Sequence, residues 1–180
     1  MQLELIKPSE NYIDSTKEVF DKFYDLWENW FWNPKFIKYT KEQILKYIQD
    51  TSYFEKWERT PEWRLSSVTY WLVDSTEKEL LWVINIRPDL NDYLLNFWWN
   101  IWYAISPYQR KKWYWKLQLQ KAIEKIKSEE TLKHLSKVLL TCNDDNIWSR
   151  KIIESCWWIY EDKRYSEKDW VMKLRYWIPL

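Results

Sequence analysis

A cluster of basic side chains stands at the junction between a strand-like run and a helix-like run. The stretch SPYQRKKWYWKLQLQKAIEKI, residues 106–126, starts with a Pro-containing turn, passes through Arg110, Lys111, Lys112 and Lys116, and ends in a helical pattern. The first N–H groups of a helix are unpaired and carry partial positive charge, so a helix behind such a loop favours an anion. The junction is a candidate phosphate-binding loop, although a solvated charged turn before an amphipathic helix has the same pattern.

Two tryptophans occupy this loop where small residues are expected. Glycine in a phosphate loop lets backbone N–H groups approach the anion without a Cβ in the way, yet Trp113 and Trp115 stand there. The chain has no Gly and 17 Trp, whereas average usage predicts about 13 Gly. Other tryptophans share the glycine-like placement in loops, turns and helix ends: Trp30, Trp32, Trp98, Trp99, Trp148 and Trp157.

We interpret many of these tryptophans as standing at glycine positions. A codon read as Trp in one genetic code and Gly in another explains both the excess and the deficit, and the preference for Lys over Arg fits an AT-rich gene. The alternative is a protein that is genuinely rich in Trp. The interpretation predicts turns, loops or helix ends, with several rings poorly buried, at Trp98, Trp113, Trp115, Trp148 and Trp157. By contrast, Trp71 and Trp177 lie in strand-like runs, where an aromatic ring is suited to the pleated surface, and we expect both to be genuine.

Bulk composition narrows the class of protein. The chain has 180 residues and a net charge of +1, so we predict one domain, 1–180, without the strong field that favours nucleic acid or a membrane surface. The start, MQLELIKPSE, has no apolar signal region, and no run approaches the roughly 18 apolar residues of a membrane-spanning helix. We therefore expect a cytoplasmic protein with neither nucleic acid nor membrane as partner.

Cysteine and histidine give little indication of disulfide or metal chemistry. Cys142 and Cys156 are too few for a disulfide framework, and the apolar run around Cys142 predicts a buried thiol in a reducing compartment. The single histidine, His134, has no companions at metal-ligand spacing. We therefore predict no metal site.

Hydrophobic periodicity divides the chain into strand-like and helix-like runs. LELIKP indicates a first strand, followed by a helix at about 10–26 capped by Ser9 and a second helix with Thr40 as N-cap and Gln43 at the capping-box position. The runs SVTYWLVD, LLWVINIRP and NIWYAISP indicate three strands joined by short connections. A helix at about 113–128, the strand KVLLTC, a short helix and a closing hairpin complete the order β-α-α-β-β-β-α-β-α-β-β. This order predicts a mixed α/β fold with a largely antiparallel sheet.

With glycine at 113 and 115 the loop would read R-K-K-G-Y-G, which resembles the R/Q-x-x-G-x-G/A pyrophosphate loop of the GCN5-related N-acetyltransferases (GNAT). NIWYAISP resembles the fourth strand of that family. KVLLTCNDDNIWSRKIIESCWW resembles its next strand and helix, with Asn146 and Ser149 at matching positions and Trp157 where a glycine normally sits. The resemblance covers essentially the whole chain and is closest to bacterial small-molecule-type members. It implies a GNAT-type mixed, largely antiparallel sheet flanked by helices, with strands four and five splayed.

The resemblance also implies how acetyl-coenzyme A would bind as co-substrate, without a metal. The pantetheine arm would pair with the edge of the fourth strand, and the loop would hold the pyrophosphate. The residues implied to bind it are Tyr103, Ala104, Ile105, Arg110, Lys111, Lys112, Trp113, Tyr114, Trp115, Lys116, Asn146 and Ser149.

The catalytic acid and base do not carry over from the family. Many members place a Tyr in the helix after strand five, where this chain has Ile153. Asp89 and Asp92, in RPDLNDYLLNF, are candidate bases, although a turn-forming or solvated role is commoner for such residues. Asn85 and Arg87 alternate along one strand and share a face, which lines either an acceptor pocket or an exposed sheet surface.

Three functions are open at this point. The resemblance implies an enzyme, a homodimer in many relatives, that transfers acetyl from acetyl-coenzyme A to a primary amine of a small molecule or peptide by direct attack. The absent Tyr and the loop indoles favour a catalytically inactive GNAT-fold module for ligand binding or interaction. An aromatic-rich binder of single-stranded nucleic acid is the third, and the near-zero net charge opposes it. Affinity for coenzyme A separates the first two.

Overall fold

The computed structural model describes residues 1–28, 37–56, 65–110, 114–156 and 158–180, with the backbone alone at 114 and 115. Its regular elements, in chain order, are β1 Leu3–Ile6, α1 Ile13–Asp25, α2 Lys41–Glu55, β2 Val68–Asp74, β3 Glu79–Ile86, α3 Asp92–Phe97, β4 Ile101–Ile105, α4 Tyr114–Ser128, β5 Lys137–Asn143, α5 Ile147–Ser155, β6 Ile159–Ser166 and β7 Val171–Pro179. Two short 3-10 turns, Glu10–Tyr12 and Pro107–Gln109, precede α1 and α4. None of the described helices is long and apolar enough to cross a membrane.

The strands form two sheets, in the orders β1-β2-β3-β4 and β5-β7-β6. The β1–β2, β5–β7 and β6–β7 pairs are antiparallel. These sheets and their flanking helices confirm the predicted mixed α/β fold. By residue contacts the chain divides into two compact units, Met1–Asn85 with Tyr103–Lys112 and Ile86–Trp102 with Trp113–Leu180. The single-domain assignment stays a prediction.

The first unit is built around fully buried strands. Every residue of β2 is buried, and so is every residue of β3 except Glu79. Helix α1 buries its apolar stripe, which includes Val19 and Phe20. Helix α2 begins with the predicted capping box, because Thr40 Oγ1 accepts from the Gln43 N–H while Gln43 Oε1 accepts from the Thr40 N–H.

The second unit is organised by the hairpin of β6 and β7. Strand β5 pairs with β7 over its whole length, from Lys137 opposite Pro179 to Asn143 opposite Lys173. An irregularity in the pairing of β6 with β7 lies between Tyr160 and Asp162. Helix α5 buries Ile153 completely, so the side chain at the family's Tyr position is part of the core.

Strands β4 and β5 lie in different sheets, which confirms the prediction that they are not paired along their length. Asn100, just before β4, bonds to β5 at one residue: its N–H donates to the Leu139 carbonyl, and its Oδ1 accepts from the Leu139 N–H, both at 2.8 Å. The Asn100 amide nitrogen also donates to the Arg87 carbonyl at 2.9 Å. A buried side-chain amide therefore substitutes for a backbone ladder here.

Two details of the predicted order were wrong. The connection between β3 and β4 is not a short turn, because it contains α3, with Asn91 as N-cap accepting from the Leu94 N–H at 2.9 Å. Ser9 caps the 3-10 turn rather than α1, because its Oγ accepts from the Asn11 N–H. In both cases a local side-chain bond to the backbone decides where the helical segment begins.

Candidate active site

The turn that leads from β4 into the basic loop is anchored to the first sheet. The Ser106 N–H donates to the Leu81 carbonyl at 2.9 Å, and the Gln109 N–H donates to the Ser106 carbonyl at 2.8 Å. Buried Gln109 also donates from Nε2 to Glu79 Oε2 at 3.3 Å. Contacts with Leu81 and Glu79 of β3 therefore fix the backbone that precedes Arg110.

Arg110 is held by the end of α1. Its Nη1 donates to Glu28 Oε1 at 2.6 Å, and its Nη2 bonds to Glu28 Oε2. The guanidinium carbon lies 5.7 Å from the centroid of the Phe23 ring. The hydrogen bond to Glu28 raises the pKa of Arg110 further above its ordinary value, so the group remains cationic. A second cation–π contact, Lys22 Nζ at 5.6 Å from the Tyr108 ring, links the same helix to the turn.

The rest of the loop is described only in part. Lys111, Lys112 and Trp113 lie outside the described residues. Helix α4 begins at Tyr114, four residues after Arg110, and exposed Lys116 lies in its first turn. In chain order a helix N-terminus therefore follows the basic segment, and a helix N-terminus is a place that an anion favours.

The two other groups of candidate co-substrate contacts are placed as follows. Tyr103, Ala104 and Ile105 are half-buried on β4, the last strand in the order of its sheet. Asn146 is the N-cap of α5, and its Oδ1 accepts from the Ser149 N–H at 3.0 Å. The structure brings this last pair together, and binding by all these residues stays a prediction.

The candidate bases and acceptor residues differ in exposure. Asp89 and Asp92 are both exposed, and Asp92 is the first residue of α3 rather than part of a turn. Asn85 is buried at the end of the first unit, where its Nδ2 donates to Thr69 Oγ1 at 3.1 Å. Buried Arg87 has its guanidinium carbon 5.8 Å from the ring centroids of Trp98 and Trp99. Because both residues are buried, the alternative that Asn85 and Arg87 lie on an exposed sheet surface is wrong.

Buried groups around α5 are poor acids and nucleophiles. Burial raises the pKa of the Cys142 thiol to about 11, which keeps it protonated near neutral pH. Burial and the Glu154 carboxylate raise the pKa of Tyr176, whose hydroxyl donates to Glu154 Oε1 at 3.1 Å. Covalent catalysis through Cys142 is therefore disfavoured, as direct transfer requires no nucleophilic side chain.

The tryptophans test the glycine interpretation in part. Trp98 caps the end of α3 and is half-buried, while Trp148 is the second residue of α5 and is 73% exposed. Trp115 is the second residue of α4, and Trp30, Trp32, Trp113 and Trp157 lie outside the described residues. Trp71 is fully buried within β2, and Trp177 is half-buried in β7, so both lie in strands as predicted.

Two tryptophans that were not singled out by sequence have glycine-type backbone. Trp27 has φ of 56° and is 81% exposed, and Trp170 has φ of 54° and is 82% exposed. Trp27 lies at C′ of α1 in a Schellman motif, since its N–H donates to the Tyr24 carbonyl and the Glu28 N–H donates to the Phe23 carbonyl, both at 3.0 Å. Left-handed backbone is uncommon for a non-glycine residue. Glycine adopts this backbone without strain, but Lys78 shares it with φ of 55°, and the glycine interpretation stays a prediction.

Sequence reasoning missed three polar residues that make long-range hydrogen bonds: Glu28 in the first unit, and Asn100 and Arg175 in the second. No local sequence pattern indicates the role of Glu28, because its partner Arg110 is 82 residues away in the chain. The Asn91-to-Leu94 cap would have indicated α3, and an arginine in the apolar run VMKLRYWI would have indicated a paired buried charge.

The sequence matches no family model and no curated protein. Solved structures match nearly the whole chain. The microcin C7 self-immunity acetyltransferase MccE, in complex with acetyl-CoA and AMP, has a TM-score of 0.72 and 12% identity over 99% of this chain and 93% of its own.

Two further structures agree. The ribosomal L7/L12 α-N-protein acetyltransferase RimL, in complex with coenzyme A, has a TM-score of 0.69 and 13% identity over 100% of this chain and 95% of its own. A GNAT-family acetyltransferase from Bacillus anthracis has a TM-score of 0.62 and 13% identity, with coverage of 99% and 95%. At this identity the likeness shows the fold, and the chain has the fold of the GNAT acetyltransferases.

Proposed function

We propose that the chain is an N-acetyltransferase that moves an acetyl group from acetyl-CoA to a primary amine by direct attack. The observation that carries the proposal is the order of β4, the anchored turn, Arg110 and the N-terminus of α4, within a fold whose solved neighbours include complexes with acetyl-CoA and coenzyme A. Fold alone does not define function, so the local chemistry must support it.

The described residues fit an anionic pyrophosphate. Arg110 remains charged and offers planar donors suited to phosphate. Helix α4 follows in the chain, and the unpaired N–H groups of a helix's first turn, with the charge of Lys116, are also suited to an anion. Trp113 and Trp115 do not suit such a loop by residue type, because glycine has no side chain that could cover the backbone N–H groups.

The edge of β4 would hold the pantetheine arm. Residues 103–105 form the end of the strand, and its backbone N–H and C=O groups are suited to an amide-containing chain. A backbone N–H near the thioester carbonyl would stabilise the oxyanion that develops there. This would place the carbonyl carbon at a fixed point for the amine.

The chemistry needs an amine, a thioester and proton transfer. The amine nitrogen attacks the carbonyl carbon, a C–N bond forms, and the C–S bond breaks as the oxyanion collapses. One proton leaves the amine for a base, directly or through water, and the coenzyme A thiolate takes up one proton from an acid or water. The products are an amide and coenzyme A. We propose Asp92, with Asp89 as second candidate, as the base, since both carboxylates are exposed beside α3.

The acceptor is proposed as a primary amine on a small molecule or a peptide. One neighbour is described as an α-N-protein acetyltransferase of ribosomal L7/L12. A peptide N-terminus therefore stands beside polyamine, amino acid and aminoglycoside in the acceptor panel. Buried Asn85 and Arg87 are proposed to line the acceptor pocket. We also propose a cytoplasmic homodimer.

The test is an acetyl-CoA turnover assay, followed by thiol release, against this amine panel. It uses the full-length chain and a Trp113→Gly/Trp115→Gly variant. We expect turnover with at least one amine in the variant, and a loss of about 10²-fold or more in Asp92→Asn. Glu18→Gln, on an exposed face of α1, is the charge-matched control.

Two outcomes would redirect the proposal. Tight coenzyme A binding without turnover on any amine would favour the inactive ligand-binding module. No coenzyme A binding by either chain would remove the proposed co-substrate altogether.

A further inference from the structure

Glu28 forms a two-point ion pair with Arg110, the first residue of the proposed pyrophosphate loop. The two Glu28 oxygens bind different Nη atoms of Arg110, and the Phe23 ring lies against the same guanidinium with its centroid 5.7 Å from Cζ. All three residues belong to the first unit. A carboxylate and an aromatic ring therefore fix both the direction and the plane of the arginine.

The end of α1 fixes Glu28 in turn. The Glu28 N–H donates to the Phe23 carbonyl at 3.0 Å, within the Schellman motif that Trp27 completes in left-handed backbone. The ring and the carboxylate that hold Arg110 are thus joined by a backbone hydrogen bond. The backbone positions of the two residues that contact Arg110 are therefore tied to each other.

The Arg110 guanidinium keeps N–H donors that Glu28 does not use. It carries five N–H groups, and end-on pairing with one carboxylate uses two of them, which leaves the Nε side free of Glu28. A long side chain loses rotamer freedom when it binds a ligand, so fixing it beforehand lowers that cost. The carboxylate also repels a phosphate, but at a half-exposed pair the solvent screens this repulsion.

We propose that Glu28 is a positioning residue for acetyl-CoA: it orients Arg110 so that the remaining guanidinium donors face the pyrophosphate. The proposal rests on the proposed function, because it assigns Glu28 a role in the same site. Glu28 itself does not touch the co-substrate in this account.

The test is a double-mutant cycle on coenzyme A affinity, measured by calorimetric titration. The variants are Glu28→Gln, Arg110→Met and their combination, in the full-length chain and in Trp113→Gly/Trp115→Gly. We expect Glu28→Gln to weaken coenzyme A about two- to fivefold, as for a half-exposed ion pair. In the Arg110→Met background the same change is expected to have no effect, because Glu28 acts through Arg110.

Kinetics and controls separate positioning from loss of fold. Glu28→Gln is expected to raise the KM for acetyl-CoA at unchanged kcat, and Glu28→Asp, which keeps the charge, to recover part of the affinity. Glu18→Gln removes one negative charge from α1 without touching Arg110 and is expected to leave affinity unchanged within error. Thermal melting of each variant verifies that it is folded.

Three results would overturn the proposal. Tighter coenzyme A binding in Glu28→Gln would make Glu28 a competitor of the phosphates. Unchanged binding would remove its role, and an equal effect with and without Arg110 would show that it acts elsewhere. If no chain binds coenzyme A, the proposed function fails first, whereas a large effect of Arg110→Met with none from Glu28→Gln defeats this inference alone.

Discussion

Two arginines, one in each unit, are bound by carboxylates in opposite ways. Arg110 is about half-exposed, with 40% of its side chain accessible, and pairs with the equally exposed Glu28. Arg175 on β7 is 2% exposed, and its Nη1 contacts Asp162 at 2.8 Å and Glu161 at 2.5 Å while its Nη2 donates to the Leu95 carbonyl at 3.0 Å. Both guanidinium groups pair with carboxylates, although the buried Nε of Arg175 has no hydrogen-bond partner among the described residues. Of the two, Arg110 has the exposed side from which a new anion can approach.

The difference distinguishes an exchangeable pair from a fixed one. An exposed pair contributes little to stability, about 0–1 kcal/mol, so it is free to rearrange around a ligand. The buried Arg175 guanidinium has no such freedom, because leaving its carboxylates would leave its own charge unpaired in a poorly solvated place. We therefore propose a binding role for Arg110, whereas Arg175 links α3 to the β6–β7 hairpin through the Leu95 carbonyl.

The largest expected effect is on stability, at Arg175. Arg175→Met should lower the free energy of unfolding by about 2–4 kcal/mol, because the charge-assisted hydrogen bonds of a buried guanidinium are lost and the Leu95 carbonyl loses its donor. Arg110→Met, the matched change at the exposed pair, should cost about 1 kcal/mol or less. Urea unfolding of the two variants measures both numbers, and equal losses would abolish the distinction between the two arginines.

The next largest effect is on coenzyme A affinity, and here the arginine of the first unit should matter more than an arginine of the second. Arg110→Met should weaken coenzyme A about tenfold or more, since charge-assisted hydrogen bonds contribute roughly 1.5–3 kcal/mol. Arg164→Met, at a half-exposed arginine that bonds Asp162 in the second unit, should leave coenzyme A affinity unchanged. Titration calorimetry measures both, and an equal loss at Arg164 would place the phosphate contacts elsewhere.

Much of the fold was predictable from the sequence, because its strands and helices have clear periodicity and caps. The Thr40 capping box and the hairpin of β6 and β7 were both indicated by local patterns. The pairing of Arg110 with Glu28 was not, because it joins residues 82 apart through tertiary folding. Helix α3 was missed because its six residues are too short for periodicity to show.

A smaller effect on stability is expected at the left-handed positions. Trp27→Gly and Trp170→Gly should each raise the free energy of unfolding by about 1 kcal/mol, because glycine adopts positive φ without strain. Lys78→Gly, at φ of 55°, is the control for strain without an indole. Trp148→Gly, inside α5, should instead cost about 0.5–1 kcal/mol. Thermal unfolding measures all four, and losses at 27 and 170 would contradict the glycine interpretation.

The smallest effect concerns pH. Burial raises the pKa of Asp162, but hydrogen bonds from Arg175 and Arg164 outweigh it, so the folded pKa lies below the unfolded value of about 3.9. Its stabilising contribution is therefore present above pH ~4 and is lost as pH falls through the folded pKa. Asp162→Asn should be less stable at pH 7 and should lose less stability between pH 5 and 3. An unchanged acid profile would show that the ion pair is not the acid-sensitive group.

The most direct test of the central claim, that a GNAT-type acetyl-CoA site begins at Arg110, is calorimetric titration of coenzyme A into two chains. One carries Trp113 and Trp115, and the other carries glycine at both positions, with circular dichroism used to verify that both are folded. We predict that the glycine chain binds coenzyme A more tightly by orders of magnitude, because the backbone N–H groups become accessible to the pyrophosphate. Equal micromolar binding would show that the indoles are compatible with the site, and no binding by either chain would contradict the account.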